Sequence, residues 1–196
     1  MSQPIPVAPR IEPLAPPYAP ELDALLARMT PPGAPSILAL FRVLAHNPEL
    51  ATRSTGWGGY LLGRKASLTL RDREVVINRV CARCGAQYEW GVHVAAFGEA
   101  AGFSPEQNAA IADPALRQAQ DDRESSLTER DRLLVRMADE LHDTATVSDE
   151  LWPQLAAVWT PAQLVELLML AGWYHAISYV CNAARVPLED WAARWR

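Results

Sequence analysis

Cysteine, excess positive charge and long apolar runs are all scarce in this 196-residue sequence. Three cysteines make an odd number, so we expect free, buried or catalytic thiols and not a framework of structural disulfides. A formal net charge of -5 argues against the basic face that nucleic acid or an anionic membrane would require. Small neutral or anionic metabolites remain possible ligands, because a few local arginines are enough to bind them.

Membrane and export signals are also scarce. No apolar run approaches the roughly 20 residues that cross a bilayer, and residues 1–10 have no basic segment followed by an apolar one. We therefore expect a cytoplasmic protein without a membrane or nucleic-acid partner. A hydrophobic content of 49% in 196 residues is enough to bury the core of one globular domain.

Proline is plentiful and unevenly placed. Most of the 16 prolines precede residue 36, where they alternate with short apolar stretches that cannot sustain long regular structure. We predict a proline-rich arm over residues 1–35 around a short helix at residues 20–29. The arm would wrap its own domain or reach a neighbouring subunit, and residues 36–196 would form a single helical domain.

The remaining pattern predicts an all-α fold. Thr69, Ser104 and Thr160 are typical helix caps, Ser104 with a Gln three residues later as in a capping box. The β-branched run 75–80 also suits a strand, but apolar and cysteine residues repeat there at three and four, which favours a helix. A polar linker is expected at residues 113–126. Predicted helices cover residues 36–45, 49–62, 69–84, 86–102, 104–112, a segment opening at 128, 148–158 and 160–184.

One stretch of the chain carries most of the reactive side chains. Cys81 and Cys84 form a C-x-x-C pair, and Glu89 and His93 follow, four residues apart and therefore on one helix face. A carboxylate one turn before an imidazole can fix its tautomer and raise its basicity, which makes a proton relay. Glu74 lies on the preceding helix and could approach this pair only through tertiary packing.

Over about residues 41–187 the chain resembles the carboxymuconolactone decarboxylase and alkylhydroperoxidase D superfamily. The motifs that carry the resemblance are Arg73-Glu74, the short apolar helix after it, residues 88–93 (Tyr-Glu-Trp-Gly-Val-His) and residues 101–104 (Ala-Gly-Phe-Ser). The resemblance implies a compact helical fold with a central antiparallel helix pair. It also implies trimers or hexamers with a pocket near subunit interfaces, and chemistry that needs no metal or organic cofactor.

The two branches of this superfamily differ at the site. Matching His93 to the peroxidase branch puts its two redox cysteines at Ala86 and Glu89, so both are missing here, whereas Glu74 and His93 match. The decarboxylase branch has a Glu four residues before its His, as Glu89 and His93 provide. The resemblance therefore favours acid–base chemistry over peroxide reduction.

These observations predict an enzyme that decarboxylates or isomerises a small carboxylated lactone, oxo-acid or unsaturated diacid. His93 would carry the proton, Glu89 would orient it and Glu74 would be a second proton carrier. Arg73 or Arg83 would bind a substrate carboxylate through a two-pronged contact. The expected pocket walls are the aromatic and imidazole side chains Trp57, Tyr60, Tyr88, Trp173, Tyr174 and His175.

Other interpretations remain open at this point. Cys81 and Cys84 could serve a thiol peroxidase or disulfide reductase, since Arg83 would favour a thiolate. A third class is a non-catalytic oligomeric protein whose aromatic pocket holds a ligand. Glu89 and His93 could also be a buried structural pair. No metal site is expected, because Cys81, Cys84 and His93 supply three ligands at an unusual spacing.

Overall fold

A computed structural model of the chain describes residues 8–31, 34–113 and 127–195. The regular structure within these ranges is entirely helical, which confirms the predicted all-α class. The described helices, in chain order, are α1 (Pro20–Met29), α2 (Ala39–Leu44), α3 (Pro48–Leu61), α4 (Leu70–Arg83), α5 (Gln87–Phe97), α6 (Pro105–Ala112), α7 (Glu129–Thr144), α8 (Trp152–Val158) and α9 (Pro161–Ala184).

Helix starts follow the predicted caps. The Thr69 side chain accepts a hydrogen bond from the backbone of Asp72 at the start of α4. Ser104 and Thr160 each form a complete capping box with the glutamine three residues later. The β-branched run 75–80 lies inside α4, so the competing strand prediction is wrong there. Helix spacing outweighed β propensity because this run is buried from several sides.

Three predicted boundaries are wrong. The helix expected from residue 36 begins at Ala39. The helix expected to reach residue 102 ends at Phe97, and Gly102, with φ 75°, closes a turn beyond it. The helix expected from residue 148 begins at Trp152, because the Ser148 hydroxyl accepts from the backbone of Leu151 and caps only a preceding turn.

Helix α4 forms the centre of the core. It packs against α5, α6, α7 and α9, and Val75, Val76 and Ile77 are completely buried. A short turn at Gly85, with φ 63°, reverses the chain between α4 and α5. The pair is therefore antiparallel, and the first half of α4 lies beside the second half of α5.

The described part of the proline-rich arm contacts its own domain. The backbone N–H of Arg10 donates to the Ala184 carbonyl at 2.8 Å, and the Glu12 carbonyl lies 2.8 Å from Nε2 of His46. Residues 1–7 and 32–33 of the predicted arm lie outside the described residues. The same is true of residues 114–126, which include nearly all of the predicted linker.

The expectation that no segment is long and apolar enough to cross a bilayer is wrong for helix α9. Its 24 residues include a window with mean hydropathy 1.4, which passes that test by length and composition alone. Half of this window is buried within the protein, as is usual for a core helix. The helix packs on α4 and α5 and supplies side chains to the site described below.

Candidate active site

Glu74 and His93 form the centre of a buried polar cluster. The antiparallel arrangement of α4 and α5 places Oε2 of Glu74 2.9 Å from Nδ1 of His93. Glu74 is 1% exposed and His93 is 4% exposed. The Glu74 carboxylate therefore holds the His93 ring in the form that carries a proton on Nδ1, since a carboxylate accepts hydrogen bonds from a ring nitrogen that carries a proton.

The hydroxyl of Tyr174, on α9, contacts the other ring nitrogen of His93. Its hydroxyl lies 2.9 Å from Nε2 of His93, and the two rings meet edge to face with centroids 5.1 Å apart. With a neutral imidazole, the phenol donates to Nε2 and completes a chain of carboxylate, imidazole and phenol. The sequence placed Tyr174 only among pocket walls, because no spacing rule relates α9 to His93.

Glu89 lies farther from the imidazole than the sequence indicated. Its Oε2 is 3.7 Å from Nε2 of His93, beyond hydrogen-bond distance, and its Oε1 accepts from the Cys181 thiol at 3.8 Å. The short contact that holds the ring comes from Glu74, whereas Glu89 forms a longer ion pair with it. Helix spacing alone could not reveal this, because the approach of Glu74 depends on the packing of α4 against α5.

The electrostatics of the cluster favour protons on His93 and Glu89. Burial by itself lowers the pKa of His93, but the charge and hydrogen bond of Glu74, with the charge of Glu89, outweigh it and raise the pKa overall. Burial raises the pKa of Glu89, and the charge of Glu74 adds to that effect. The pKa of Tyr174 is raised well above its ordinary value, chiefly by burial. The imidazole therefore holds its proton to higher pH than a free histidine.

Arg73 and Arg83 differ in what they contact. Arg73 lies close enough for its charge to oppose the raised pKa of His93. Its Nη1 donates weakly to backbone carbonyls of Leu61 and Gly63, and its buried Nε has no hydrogen-bond partner among the described residues. Arg83 instead pairs with Asp139 and Asp143. Of the two arginines, Arg73 is the one whose charge acts on His93.

Several predicted pocket walls have contacts elsewhere. The Tyr60 hydroxyl donates to Glu166 at 2.7 Å, and the Tyr88 hydroxyl donates to Glu189 at 2.7 Å. These hydroxyl groups are engaged within the protein, so their predicted role in binding substrate is not supported. Trp57 packs on Trp173, with ring centroids 4.9 Å apart. The sixth predicted wall residue is His175, whose ring contacts His142 and Tyr179.

The two C-x-x-C thiols differ in how deeply they are buried. Cys81 is fully buried, and burial raises the pKa of its thiol well above the ordinary value. Cys84 is half-buried, and its pKa is also raised by burial. A thiol attacks as the thiolate, so these surroundings oppose nucleophilic chemistry at Cys81 most strongly.

A cavity of about 770 Å³ lies against α5, α6 and the C-terminal segment. Trp90 and Val94 of α5 contribute to it, together with Trp195. In the described part of the chain, the wall of this cavity does not include Glu74, Glu89 or His93. The buried acid–base cluster and this cavity are therefore separate features.

Comparison with known proteins supports the resemblance drawn from the sequence. Residues 48–129 match the Carboxymuconolactone decarboxylase family, and this segment includes Glu74, Glu89 and His93 but not Tyr174. No curated protein matches the sequence. Together with the fold, the family match confirms the resemblance to the carboxymuconolactone decarboxylase and alkylhydroperoxidase D-like superfamily.

Solved structures share the fold at low sequence identity. A peroxidase-related protein from Silicibacter sp. TM1040 is 15% identical, with 92% of this chain and 93% of that chain covered and a TM-score of 0.76. A peroxidase-related protein from Ralstonia eutropha JMP134, with an alkylhydroperoxidase core, is 16% identical over 92% and 93%, with a TM-score of 0.72. The debrominase Bmp8, a cysteine-to-alanine variant in complex with 2,3,4-tribromopyrrole, is 15% identical over 92% of both chains, with a TM-score of 0.73.

Proposed function

We propose that the protein is a cofactor-independent acid–base enzyme, because residues 48–129 match the Carboxymuconolactone decarboxylase family. Its substrate would be a small carboxylated lactone, oxo-acid or unsaturated diacid, and its reaction would be decarboxylation or isomerisation. The observation that carries the proposal is the buried chain from Glu74 through His93 to Tyr174, with 2.9 Å at each contact.

The hydrogen-bonded series of Glu74, His93 and Tyr174 supplies the groups that proton transfer requires. Glu74 holds the imidazole in one orientation and stabilises the imidazolium when His93 gains a second proton. The raised pKa of His93 keeps that proton on the ring to higher pH than in a free histidine. Tyr174 then accepts a hydrogen bond from Nε2–H of the imidazolium, or donates one to Nε2 of the neutral ring. In both protonation states of His93, each ring nitrogen thus keeps a hydrogen-bond partner without a movement of the ring.

Decarboxylation would use the imidazolium as a general acid. The bond between the carboxylate and the adjacent carbon breaks, carbon dioxide leaves, and the electron pair is delocalised into a neighbouring unsaturated carbonyl as a dienolate. The proton on Nε2 of His93 then reaches carbon through the Tyr174 hydroxyl, which gives its own proton to carbon and takes that of the imidazolium, and the neutral imidazole regains a proton from solvent. Isomerisation would use the same residue as a base and then as an acid, which moves a proton between two carbons.

Arg73 would bind the substrate carboxylate. Its charge already acts on His93, and its buried Nε is unpartnered among the described residues. A bidentate contact to a carboxylate would satisfy that nitrogen and would hold the reacting carbon near the imidazole. Phe97, half-buried with its ring centroid 5.3 Å from that of His93, would provide an apolar wall beside it.

Glu89 would act as a proton reservoir next to the imidazole. It lies 3.7 Å from Nε2, and burial raises its pKa, so it holds a proton to higher pH than an exposed glutamate. A protonated Glu89 adds no second negative charge beside Glu74.

Thiol redox chemistry is the second candidate function. It is favoured by the C-x-x-C pair and by the peroxidase-related proteins that share the fold. The full burial of Cys81 opposes it. The two candidates are separated by one assay pair: carbon dioxide release or isomerisation of carboxylated lactones and muconate-like diacids, against reduction of an organic hydroperoxide by a thiol. Turnover in the first assay alone supports the acid–base proposal.

We also infer that the protein is a homo-oligomer, as the resemblance implies for trimers or hexamers. A row of exposed residues follows one face of α9 at alternating spacings of four and three, including Val165 (60% exposed), Met169 (45%) and Tyr179 (64%). Rows of this spacing are typical of helix-to-helix interfaces. A second copy of the chain would cover this face.

A further inference from the structure

Three metal-ligating side chains from three helices converge at a place that the acid–base cluster does not use. Cys84 lies at the end of α4, His142 in the last turn of α7, and His175 in the middle of α9. Their ligating atoms all lie within 4.8 Å of one another. Sequence reasoning considered Cys84 with Cys81 and His93, and missed this set because its members are distant along the chain.

The distances suit a single small cation. Nδ1 of His142 lies 3.2 Å from Nε2 of His175, and Sγ of Cys84 lies 3.9 Å from the same Nδ1. Tetrahedral Zn²⁺ binds nitrogen at about 2.0–2.1 Å and sulfur at about 2.3 Å, which separates neighbouring donor atoms by roughly 3.3–3.6 Å. These two separations differ from the tetrahedral values by a few tenths of an ångström, and the third, between Cys84 and His175, is within 4.8 Å. Side-chain rotation would bring the three donor atoms to a common ion.

The surroundings orient the imidazole of His175. The Tyr179 hydroxyl lies 3.4 Å from Nδ1 of His175, on the far side of the ring from the cluster. A polar partner at one ring nitrogen leaves the other available to a metal, as is usual around protein-bound zinc.

Charge and access also permit a cation. The charge of Arg83 acts on His175, and the Arg83 guanidinium pairs with Asp139 at 2.9 Å and Asp143 at 2.6 Å. Its positive charge is therefore largely compensated. All three ligands are partly exposed, so an ion can enter from solvent. The Asn182 side chain donates to the Cys84 carbonyl at 2.8 Å and holds that residue in place.

We propose that Cys84, His142 and His175 bind a zinc ion, with water at the fourth position. Binding would release the Cys84 thiol proton and would join the ends of α4 and α7 to the middle of α9. The adjacent residues Tyr174 and His175 then serve different sites, Tyr174 at His93 and His175 at the metal. The proposal is independent of the acid–base function, because it shares no side chain with that cluster.

The test uses reduced, chelator-treated full-length protein titrated with Co²⁺ and then with Zn²⁺. Co²⁺ should bind in a 1:1 ratio and give the visible bands of a tetrahedral ion with a thiolate charge-transfer band. Zn²⁺ should displace it. Absence of 1:1 binding, or a Co²⁺ spectrum without the thiolate band, would overturn the proposal.

Matched thiol variants identify the ligand. Cys84→Ser should lose the charge-transfer band and weaken Zn²⁺ binding by at least about tenfold, whereas Cys81→Ser, three residues earlier on the same helix, should keep both. The reverse pattern, or equal Zn²⁺ binding in all three proteins, would refute the assignment. If circular dichroism shows that Cys84→Ser does not fold, the rate of thiol alkylation in the wild-type protein, with and without Zn²⁺, tests the site instead. Zn²⁺ should slow modification of Cys84, mapped by mass spectrometry, and an unchanged rate would refute the site.

Discussion

His93 and Glu74 are nineteen residues apart in the chain, yet Nδ1 of the imidazole lies 2.9 Å from Oε2 of the carboxylate. Both side chains are buried, so the contact acts in surroundings that water screens poorly. The Tyr174 hydroxyl binds the other ring nitrogen, which leaves His93 held from two sides.

The stability of the protein should depend on the protonation of His93. Its folded-state pKa is raised above the unfolded value of about 6.5, so the protonated pair stabilises the fold fully below that value. That contribution is lost as pH rises through the folded pKa. In Glu74→Gln the loss over this window should be smaller, measured as the free energy of unfolding in urea at several pH values. An unchanged pH dependence in Glu74→Gln would contradict the pairing.

Removing the Tyr174 hydroxyl should slow turnover without unfolding the protein. In Tyr174→Phe the Nε2 atom of His93 loses its partner, and a hydrogen bond to a charged group accounts for roughly a 10- to 100-fold change in rate. The control is Tyr18→Phe, which removes a hydroxyl that donates to the Leu14 carbonyl in the N-terminal arm. Equal rates for the two variants, measured as kcat, would remove Tyr174 from the mechanism.

Arg79 should be far more important for stability than an exposed arginine. It is completely buried, binds Asp139 through two hydrogen bonds of 2.8 Å, and donates to the Ile111 carbonyl. Arg79→Ala leaves buried polar groups unpaired and should cost roughly 3–5 kcal/mol of unfolding free energy.

The matched control for Arg79 is Arg53→Ala. Its pair with Glu49 is exposed at both ends, so this variant should cost less than about 1 kcal/mol. Chemical denaturation of both variants gives the comparison, and similar losses would show that burial of Arg79 is not what makes it important.

The exposed face of α9 should hold copies of the chain together. Val165→Glu places a charge on that face and should shift the protein toward monomers in size-exclusion chromatography with light scattering. Leu50→Glu, at an exposed position on α3, is the control and should leave the assembly unchanged. An unchanged mass for Val165→Glu would contradict an interface at this face.

Local signals predicted the fold well, and tertiary packing decided the site. The bounds of α1 and the caps at Thr69, Ser104 and Thr160 could be predicted because each depends on residues within one or two turns. Glu74 and His93 were found through the family motif. The contact between them was not predicted, nor was the short bond of Tyr174, because both depend on how separate helices pack.

The convergence of Cys84 with His142 and His175 shows the same limit. The C-x-x-C spacing predicted Cys81 as the partner of Cys84. Cys81 lies three residues from Cys84 in sequence but is fully buried. The side chains that contact Cys84 come instead from helices 58 or more residues later, beyond the reach of any spacing rule. A sequence pattern thus identified a reactive residue but not its partners.

His93, and not a thiol, should carry the reaction. The most direct measurement compares wild type, His93→Gln and Cys81→Ser for turnover of carboxylated lactones and muconate-like diacids, with an organic hydroperoxide plus thiol as the opposing assay. We predict that His93→Gln loses roughly 100- to 10,000-fold in decarboxylation or isomerisation while Cys81→Ser keeps wild-type activity. Hydroperoxide reduction that is lost in Cys81→Ser, with no turnover of the carboxylated compounds, would contradict the claim.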